Sequence, residues 1–445
     1  MNLSRQLTEL IMSTPVISDE RILSVALQGV TDFFASSLQA TNETEVDRLK
    51  QWIATEGGEQ NSWLIGQKTY AGAKQAALLN GFQAHLLDYD DVHADVRGHP
   101  SAVILPALFA SVKITSKSTA LDSRRFLTAY VIGIEMAARL GQAVNPTHYN
   151  KGWHSTATLG IFGATAAICY LHNYAFLQQA FALAATQAGG LRLMFGTSIK
   201  PLHAGLAAQN AIQSIELVQV GFGAERDFLD RELGFTAIYG EQNRTLDLTR
   251  WGENWKIVEP GLWFKTYSYC SAAAYIADAA TELYESRLFN STQIEQIQLI
   301  FPPQGDAALI YSEPSLKSQG RFCAEYIAAK IFSGETLDFS AFSAQPIETH
   351  IRLLMAKCVR LYTEKTEQTR FAEVKVRSIS GEFFHQRIEH PKGSPHNPYS
   401  NEELYRKLAA AIGDTPLSAQ LFDDIQHFAT GTNIITFIQK YFHQL

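Results

Sequence analysis

The chain has 445 residues, of which 46% are apolar and only 18% are charged, with a formal net charge of −7. That length allows two or three domains and a large core. The acidic balance and the lack of basic clusters exclude a general nucleic-acid binder, and the low charge fraction fits surface hidden in a subunit interface. The cysteines Cys169, Cys270, Cys323 and Cys358 are scattered with no C-x-x-C. They make neither a compact zinc nor an iron–sulfur motif, and such isolated thiols fit a reducing cytosol. Residues 1–14 read as neither a signal nor a transit peptide. No run of 18 apolar residues occurs, so no membrane span is expected.

Residues 1 to about 265 read as helix after helix. In Arg124–Val144 the apolar Phe126, Tyr130, Ile134 and Ala137 recur at helical spacing. Thr156–Leu171 and Phe176–Ala188 are Ala-rich and apolar nearly all round, the mark of helices buried on most sides. Leu206–Val220 continues the pattern. After Lys265 the period changes. Gln296–Phe301 alternates, with Ile297, Leu299 and Phe301 on one face, and Glu373–Ile379 alternates likewise. Helical stretches Ala272–Glu285 and Phe322–Phe332 sit among these strands, so a smaller α+β domain is expected. Pro391–Pro398 reads as a loop. Ser400 with Glu403 then forms a capping box that starts the last helices, Glu402–Ile412, Leu417–Phe428 and Asn433–Tyr441, which can return to the first domain.

Four segments carry the chemistry. The first, Asn80–Ser101, holds Asp88, Asp90, Asp91 and Asp95, the histidines His85, His93 and His99, and Arg97. It reads as a charged loop after a helix, as a metal site, or as part of an active site. A calcium loop of the D-x-D-x-D-G kind is absent. The second, Gly152–Gly160, sets His154 beside Thr156 at the mouth of an apolar helix, where a cap or a carboxylate-binding role both fit. The third, Gly189–Gly205, has glycines that let backbone pass close to a ligand. There Lys200 and His203 open the apolar helix from Ala204 onwards. The fourth, Trp263–Cys270, puts Lys265 in an aromatic stretch at the proposed domain junction. Aromatic neighbours would desolvate its amine and make it a usable acid or base; alternatively its stem packs on rings with its head in water. This stock of cations and histidines suits an anionic substrate. Taking a proton from carbon next to a carboxylate builds negative charge that fixed cations must stabilise, and a histidine or lysine poised near neutrality can take it.

In this order the segments resemble the MmgE/PrpD family. Its H-x-x-D-x-D-D appears as His85, Asp88, Asp90 and Asp91, followed by His99-Pro100-Ser101. Its G-x-H-x-T, K-P-L-H-A-G, K-x-Y-P-x-C and G-S-P-x-N-P segments appear as Gly152–Thr156, Lys200–Gly205, Lys265–Cys270 and Gly393–Pro398. The resemblance implies a mainly α fold: an all-helical large domain, residues 1–265 completed by 400–445, with a smaller α+β lid domain over 266–399. It implies a homodimer, a small polycarboxylate as substrate, no metal and no organic cofactor. Asp88, His99, His154, Lys200 and Lys265 look like the family's active-site positions, with His203 and Arg97 as further carboxylate holders. Tyr326 resembles a lid-domain tyrosine of the site, although a core tyrosine of a helix fits as well. The family's activities are 2-methylcitrate dehydration, cis-aconitate decarboxylation and iminodisuccinate epimerisation.

Departures from the pattern shape the expectation. Ser268 replaces a common proline, and Ala274 stands where many members have histidine. Val92 stands where decarboxylase-type members carry threonine, which points away from decarboxylation. The leading expectation is a dehydratase acting on a hydroxy-tricarboxylate. An epimerase using Lys265 and Tyr149 on opposite faces of a diacid, and a catalytically inactive carboxylate binder, are the alternatives. The segments are expected to gather into one electropositive cavity.

Overall fold

The computed structural model describes residues 2–114, 120–223, 227–229, 231–241, 244–364 and 370–445. Its helices in chain order are α1 (Leu3–Ser13), α2 (Glu20–Gln39), α3 (Thr44–Ala54), α4 (Ala73–Leu86), α5 (Ser101–Ser111), α6 (Ser123–Val144), α7 (Thr147–Asn150), α8 (Ser155–His172), α9 (Leu177–Ala185), α10 (Ile199–Gln219), α11 (Phe235–Tyr239), α12 (Ser271–Glu285), α13 (Ala324–Phe332), α14 (Thr349–Met355), α15 (Asn401–Ile412), α16 (Pro416–Gln426) and α17 (Ile434–Phe442). The strands are β1 (Ser62–Leu64), β2 (Thr69–Ala71), β3 (Val92–His93), β4 (Leu262–Trp263), β5 (Ile294–Phe301), β6 (Cys358–Tyr362), β7 (Ala372–Ser378) and β8 (Phe383–Ile388). The chain divides into a unit of residues 1–264 with 400–445 and a unit of residues 265–399. The fold is mainly α with a smaller α+β part, as the periodicities indicate.

Some helices of the first unit start where short polar side chains cap free backbone N–H groups. Asp19 accepts from Arg21 and Ile22 at the head of α2, and Asp122 accepts from Arg124 at the head of α6. Helix α8 is buried along its whole length from Ser155 to Leu171, and α5 is buried from Ser101 to Ala110. Neither has a polar face, so both are enclosed by their neighbours. Helices α4 and α10 cross backbone to backbone. A Cβ on Gly205 would stand 2.3 Å from the Leu78 carbonyl oxygen, and one on Gly81 would stand 2.9 Å from the Gly205 Cα. Only glycine permits that approach. The C-terminal helices belong to this unit. Helix α15 begins with the capping box of Ser400 and Glu403 and brings Lys407 to Asp32 of α2, Nζ to Oδ1 at 2.6 Å.

Two small pairings fix loops of this unit. The β1–β2 hairpin is held to α4 by Asn80, whose amide accepts from Ile65 N at 3.0 Å and donates to the Trp63 carbonyl at 2.9 Å. Strand β3 pairs antiparallel with β4, Val92 opposite Trp263 and His93 opposite Leu262.

The second unit is built on a four-stranded sheet of order β6-β5-β7-β8. Strand β5 runs parallel to β6 and antiparallel to β7, and β7 runs antiparallel to β8. Ile297, Leu299 and Phe301 of β5 and Val374 and Val376 of β7 point into the core, as the alternation requires. Helices α12 and α13 carry buried alanines and Ile276, Ile327 and Phe332. Among the described residues no helix is long and apolar enough to cross a membrane.

Candidate functional site

Helix α4 ends at Leu86, and the chain turns at once through Asp88, whose φ of +53° lies in the left-handed region. Asp tolerates that region better than most residues, yet it carries strain of the kind that collects at functional sites. The turn leads into Asp90 and Asp91 and, after β3, to His99 and the start of α5. The run is pinned from several sides. Asp91 accepts from Ser101 N at 3.3 Å and from the Ser101 hydroxyl, which also meets the Tyr130 hydroxyl. The His99 backbone N–H donates to Thr156 Oγ1 at 3.1 Å, tying the loop to the first turn of α8. Lys407 donates to the Tyr89 carbonyl at 2.8 Å.

Two further elements bring their side chains to this loop. His154 precedes α8, and its backbone N–H donates to the Gly190 carbonyl at 2.9 Å. Lys200 and His203 lie in the first turns of α10, which begins at Ile199, earlier than the apolar run from Ala204 marks. Pro201 sits in the first turn, where its missing N–H has no helical partner to lose.

The resulting cluster is buried and densely connected. Lys200 Nζ lies 2.9 Å from Asp88 Oδ2, and His99 Nε2 lies 3.6 Å from Asp88 Oδ1. His99 Nδ1 is 2.8 Å from the Asp91 carbonyl oxygen and 3.4 Å from Asp90 Oδ2. A carbonyl only accepts, so Nδ1 carries the proton and, in the neutral ring, Nε2 holds the lone pair. His85 Nδ1 lies 2.9 Å from Asp90 Oδ2. His154 Nδ1 and His203 Nδ1 stand 3.1 Å apart, so one donates and the other accepts. The rings of His85 and His99 are centred 4.4 Å apart, and those of His85 and His154 5.8 Å apart. The Phe195 ring packs against this group, 5.1 Å from the His154 ring and 5.4 Å from the Lys200 ammonium.

Burial sets the charge states. It is the largest cause of lowering the His154 ring well below the usual histidine range, aided by His85 and Lys200. It takes His203 to about 4. It also lowers His85, outweighing the opposing pull of Asp90. The same enclosure, together with the charge of Asp32, raises Asp91 well above the carboxylate range. At neutral pH His85, His154 and His203 are thus neutral imidazoles, each able to donate one hydrogen bond and accept another, beside the Lys200 side chain that meets Asp88. Donor atoms of His85, Asp88, Asp90 and His99 lie within 4.8 Å of one another, a span that suits a cation. Here Lys200 brings a positive charge to Asp88 and His85 engages Asp90.

Of the residues picked out from the sequence, Asp88, His99, His154, Lys200 and His203 come together in this cluster. Arg97 and Tyr149 form a second group. Arg97 is exposed, has φ +54°, and its guanidinium lies 5.6 Å from the Tyr149 ring. Arg192 stacks on the same ring at 3.6 Å and donates to the Tyr149 carbonyl at 2.8 Å. Tyr326 is buried in the second unit, where its hydroxyl donates to the Ala341 carbonyl and its ring meets Phe342. Lys265 opens the second unit and is 1% exposed. Residues the sequence reading left without a role include His85, Asp90 and Thr156, all within the quoted motifs. Arg192 lies in the Gly189–Gly205 segment, and its place two residues after Gly190 is the signal that could have found it.

Residues 5–246 match the family model described as the MmgE/PrpD N-terminal domain, and residues 267–420 match the MmgE/PrpD C-terminal domain. The chain is 27% identical over 351 residues to the cis-aconitate decarboxylase of Mus musculus, covering 75% of this chain and 71% of the relative. It is 26% identical to the Homo sapiens cis-aconitate decarboxylase, covering 75% and 72%. A cis-aconitate decarboxylase of Aspergillus terreus is 23% identical, covering 79% and 77%. Matches of both domain models in succession, over most of the chain, establish that this protein belongs to the MmgE/PrpD family.

Proposed function

We propose that this protein is a lyase that moves a proton next to a carboxylate of a small polycarboxylic acid. The observation that carries the reading is the buried set in which Asp88 is shared by Lys200 and His99, with the His154–His203 pair beside it. Lys200 and His203 hold carboxylates of the substrate, while the same role for Arg97, which stands in the separate group with Tyr149, rests on the sequence alone. Asp88 orients Lys200 and faces His99. His99 Nε2 or the Lys265 amine takes the proton from the carbon, and the cations stabilise the charge that develops. In a dehydration the electron pair released forms the double bond, and the hydroxyl leaves as water with the proton taken from the carbon, which the His154 imidazole relays by accepting one proton as it gives another. Lys265 follows β4 by two residues, and its assignment rests on the family motif.

Dehydration of a hydroxy-tricarboxylate related to 2-methylcitrate is the first reading, supported by Val92 in place of the decarboxylase-type threonine. Decarboxylation is the second, supported by the activity named for the relatives. Incubation of the purified protein with 2-methylcitrate, citrate and cis-aconitate separates them. Growth of alkene absorbance from the hydroxy acids supports the first, and carbon dioxide release from cis-aconitate supports the second. Turnover of none of these acids would sink the lyase reading.

A further inference from the structure

His85 ends α4 with its ring enclosed. Its Nδ1 lies 2.9 and 3.1 Å from the two oxygens of Asp90. A carboxylate only accepts, so Nδ1 carries the ring proton and the neutral imidazole has a bare lone pair on Nε2. That nitrogen is buried and meets no hydrogen-bond partner among the described residues. The same holds for Nε2 of His154, whose ring is 5.8 Å away and tilted by 22°. Buried polar atoms are nearly always paired, because an unpaired one forfeits its hydration without return. Two unpaired imidazole nitrogens in one cluster mark a place that a ligand completes.

The chemistry of that ligand follows from the tautomer. Lys200 supplies donors for carboxylate oxygens. A carboxylate has no hydrogen to give at neutral pH, so it cannot satisfy His85 Nε2. A hydroxyl can.

We propose that His85, positioned by Asp90, is a specificity-determining residue whose Nε2 accepts a hydrogen bond from a hydroxyl of the substrate. The site then selects hydroxy-polycarboxylates over their deoxy counterparts. This inference rests on the polycarboxylate reading above.

Citrate and tricarballylate differ by one hydroxyl, which makes them the probes. Calorimetry on the full-length wild type at neutral pH is expected to show citrate binding at least about tenfold tighter, since a site built around a hydroxyl rejects the analogue lacking it. His85→Phe is expected to bring the two affinities within about threefold of each other by weakening citrate alone. His85→Gln, whose amide oxygen accepts, keeps part of the preference. Equal affinities in the wild type, a comparison that needs no variant, overturn the inference while leaving the polycarboxylate reading standing. A preference that survives intact in folded His85→Phe overturns it as well. Binding of neither acid overturns the polycarboxylate reading, and the inference falls with it.

Discussion

The Lys200 ammonium stands 2.9 Å from Oδ2 of Asp88, and both side chains are only 5% exposed. Removing one partner of such a pair leaves a buried charge, which costs about 3–5 kcal/mol. Lys200→Met is therefore expected to lower unfolding free energy by about that amount in urea titrations. The double variant Asp88→Asn/Lys200→Met is expected to be less destabilised than the two single effects added together. Turnover of the substrate found by the acid screen is expected to fall by at least about a hundredfold in either single variant, as for loss of a preorganised charge at a reacting centre. Additive stability effects would show that the pair is not energetically coupled.

The α4–α10 crossing supports both sides of the cluster, since α4 carries His85 and α10 carries Lys200 and His203. Gly205→Ala would press a methyl against the Leu78 carbonyl and the Phe82 backbone nitrogen. Overpacking of this kind costs about 1–3 kcal/mol. A lower Tm together with a lower kcat is expected, because the helices must part and the histidines move with them. Full activity in Gly205→Ala would show that the cluster tolerates the separation.

Lys407 reaches the acidic loop from the other end of the chain, pairing with Asp32 and donating to the Tyr89 carbonyl. Its ammonium also lies 3.6 Å from the Tyr89 ring centroid. Lys407→Met is expected to destabilise the protein by about 3–5 kcal/mol and to lower kcat more than it raises KM, through loss of support for the residues just before Asp90. The double variant Asp32→Asn/Lys407→Met restores part of the stability. An unchanged kcat in a folded variant would separate this clamp from the chemistry.

His148 gives a pH test of stability. It is 0% exposed, with Nε2 2.9 Å from Thr158 Oγ1, and burial lowers its ring to about 4. An unfolded histidine titrates near 6.5. Between those values the unfolded chain binds a proton that the folded chain refuses, so stability is complete above about pH 6.5 and declines as pH falls towards 4. From pH 7.5 to pH 5 this group removes about 2 kcal/mol at most. His148→Asn is expected to start less stable and to lose less on acidification, as read by thermal unfolding at both pH values. An identical loss in both proteins would show that His148 contributes nothing to the acid sensitivity.

The helices were legible because their cores repeat at helical spacing: α6 and α8 lie within a residue or two of their expected bounds. The Ser400–Glu403 capping box was readable for the same local reason. The strand period of β5 and β7 showed the second unit. Long-range partners were not legible. The β3–β4 pair is two residues long and joins positions 92–93 to 262–263, too short to leave a period in the sequence. Asp32 and Lys407 are 375 residues apart, and neither stands in a motif. In the site, residue types announced the cluster of Asp88, His99, His154 and Lys200, but hydrogen-bond direction did not. Which nitrogen of His99 or His85 bears the proton depends on Asp91 and Asp90 geometry that only the folded loop supplies.

The left-handed backbone of Asp88 narrows what this position can inherit. Glutamate would keep the negative charge but fit the reversal poorly, and asparagine would keep the reversal but give up the charge. Glycine would ease the bend and take the carboxylate away from Lys200. A lineage that drifts at this site therefore has few intermediate steps, and a descendant carrying asparagine would be recognisable as one that kept its shape after relinquishing its chemistry.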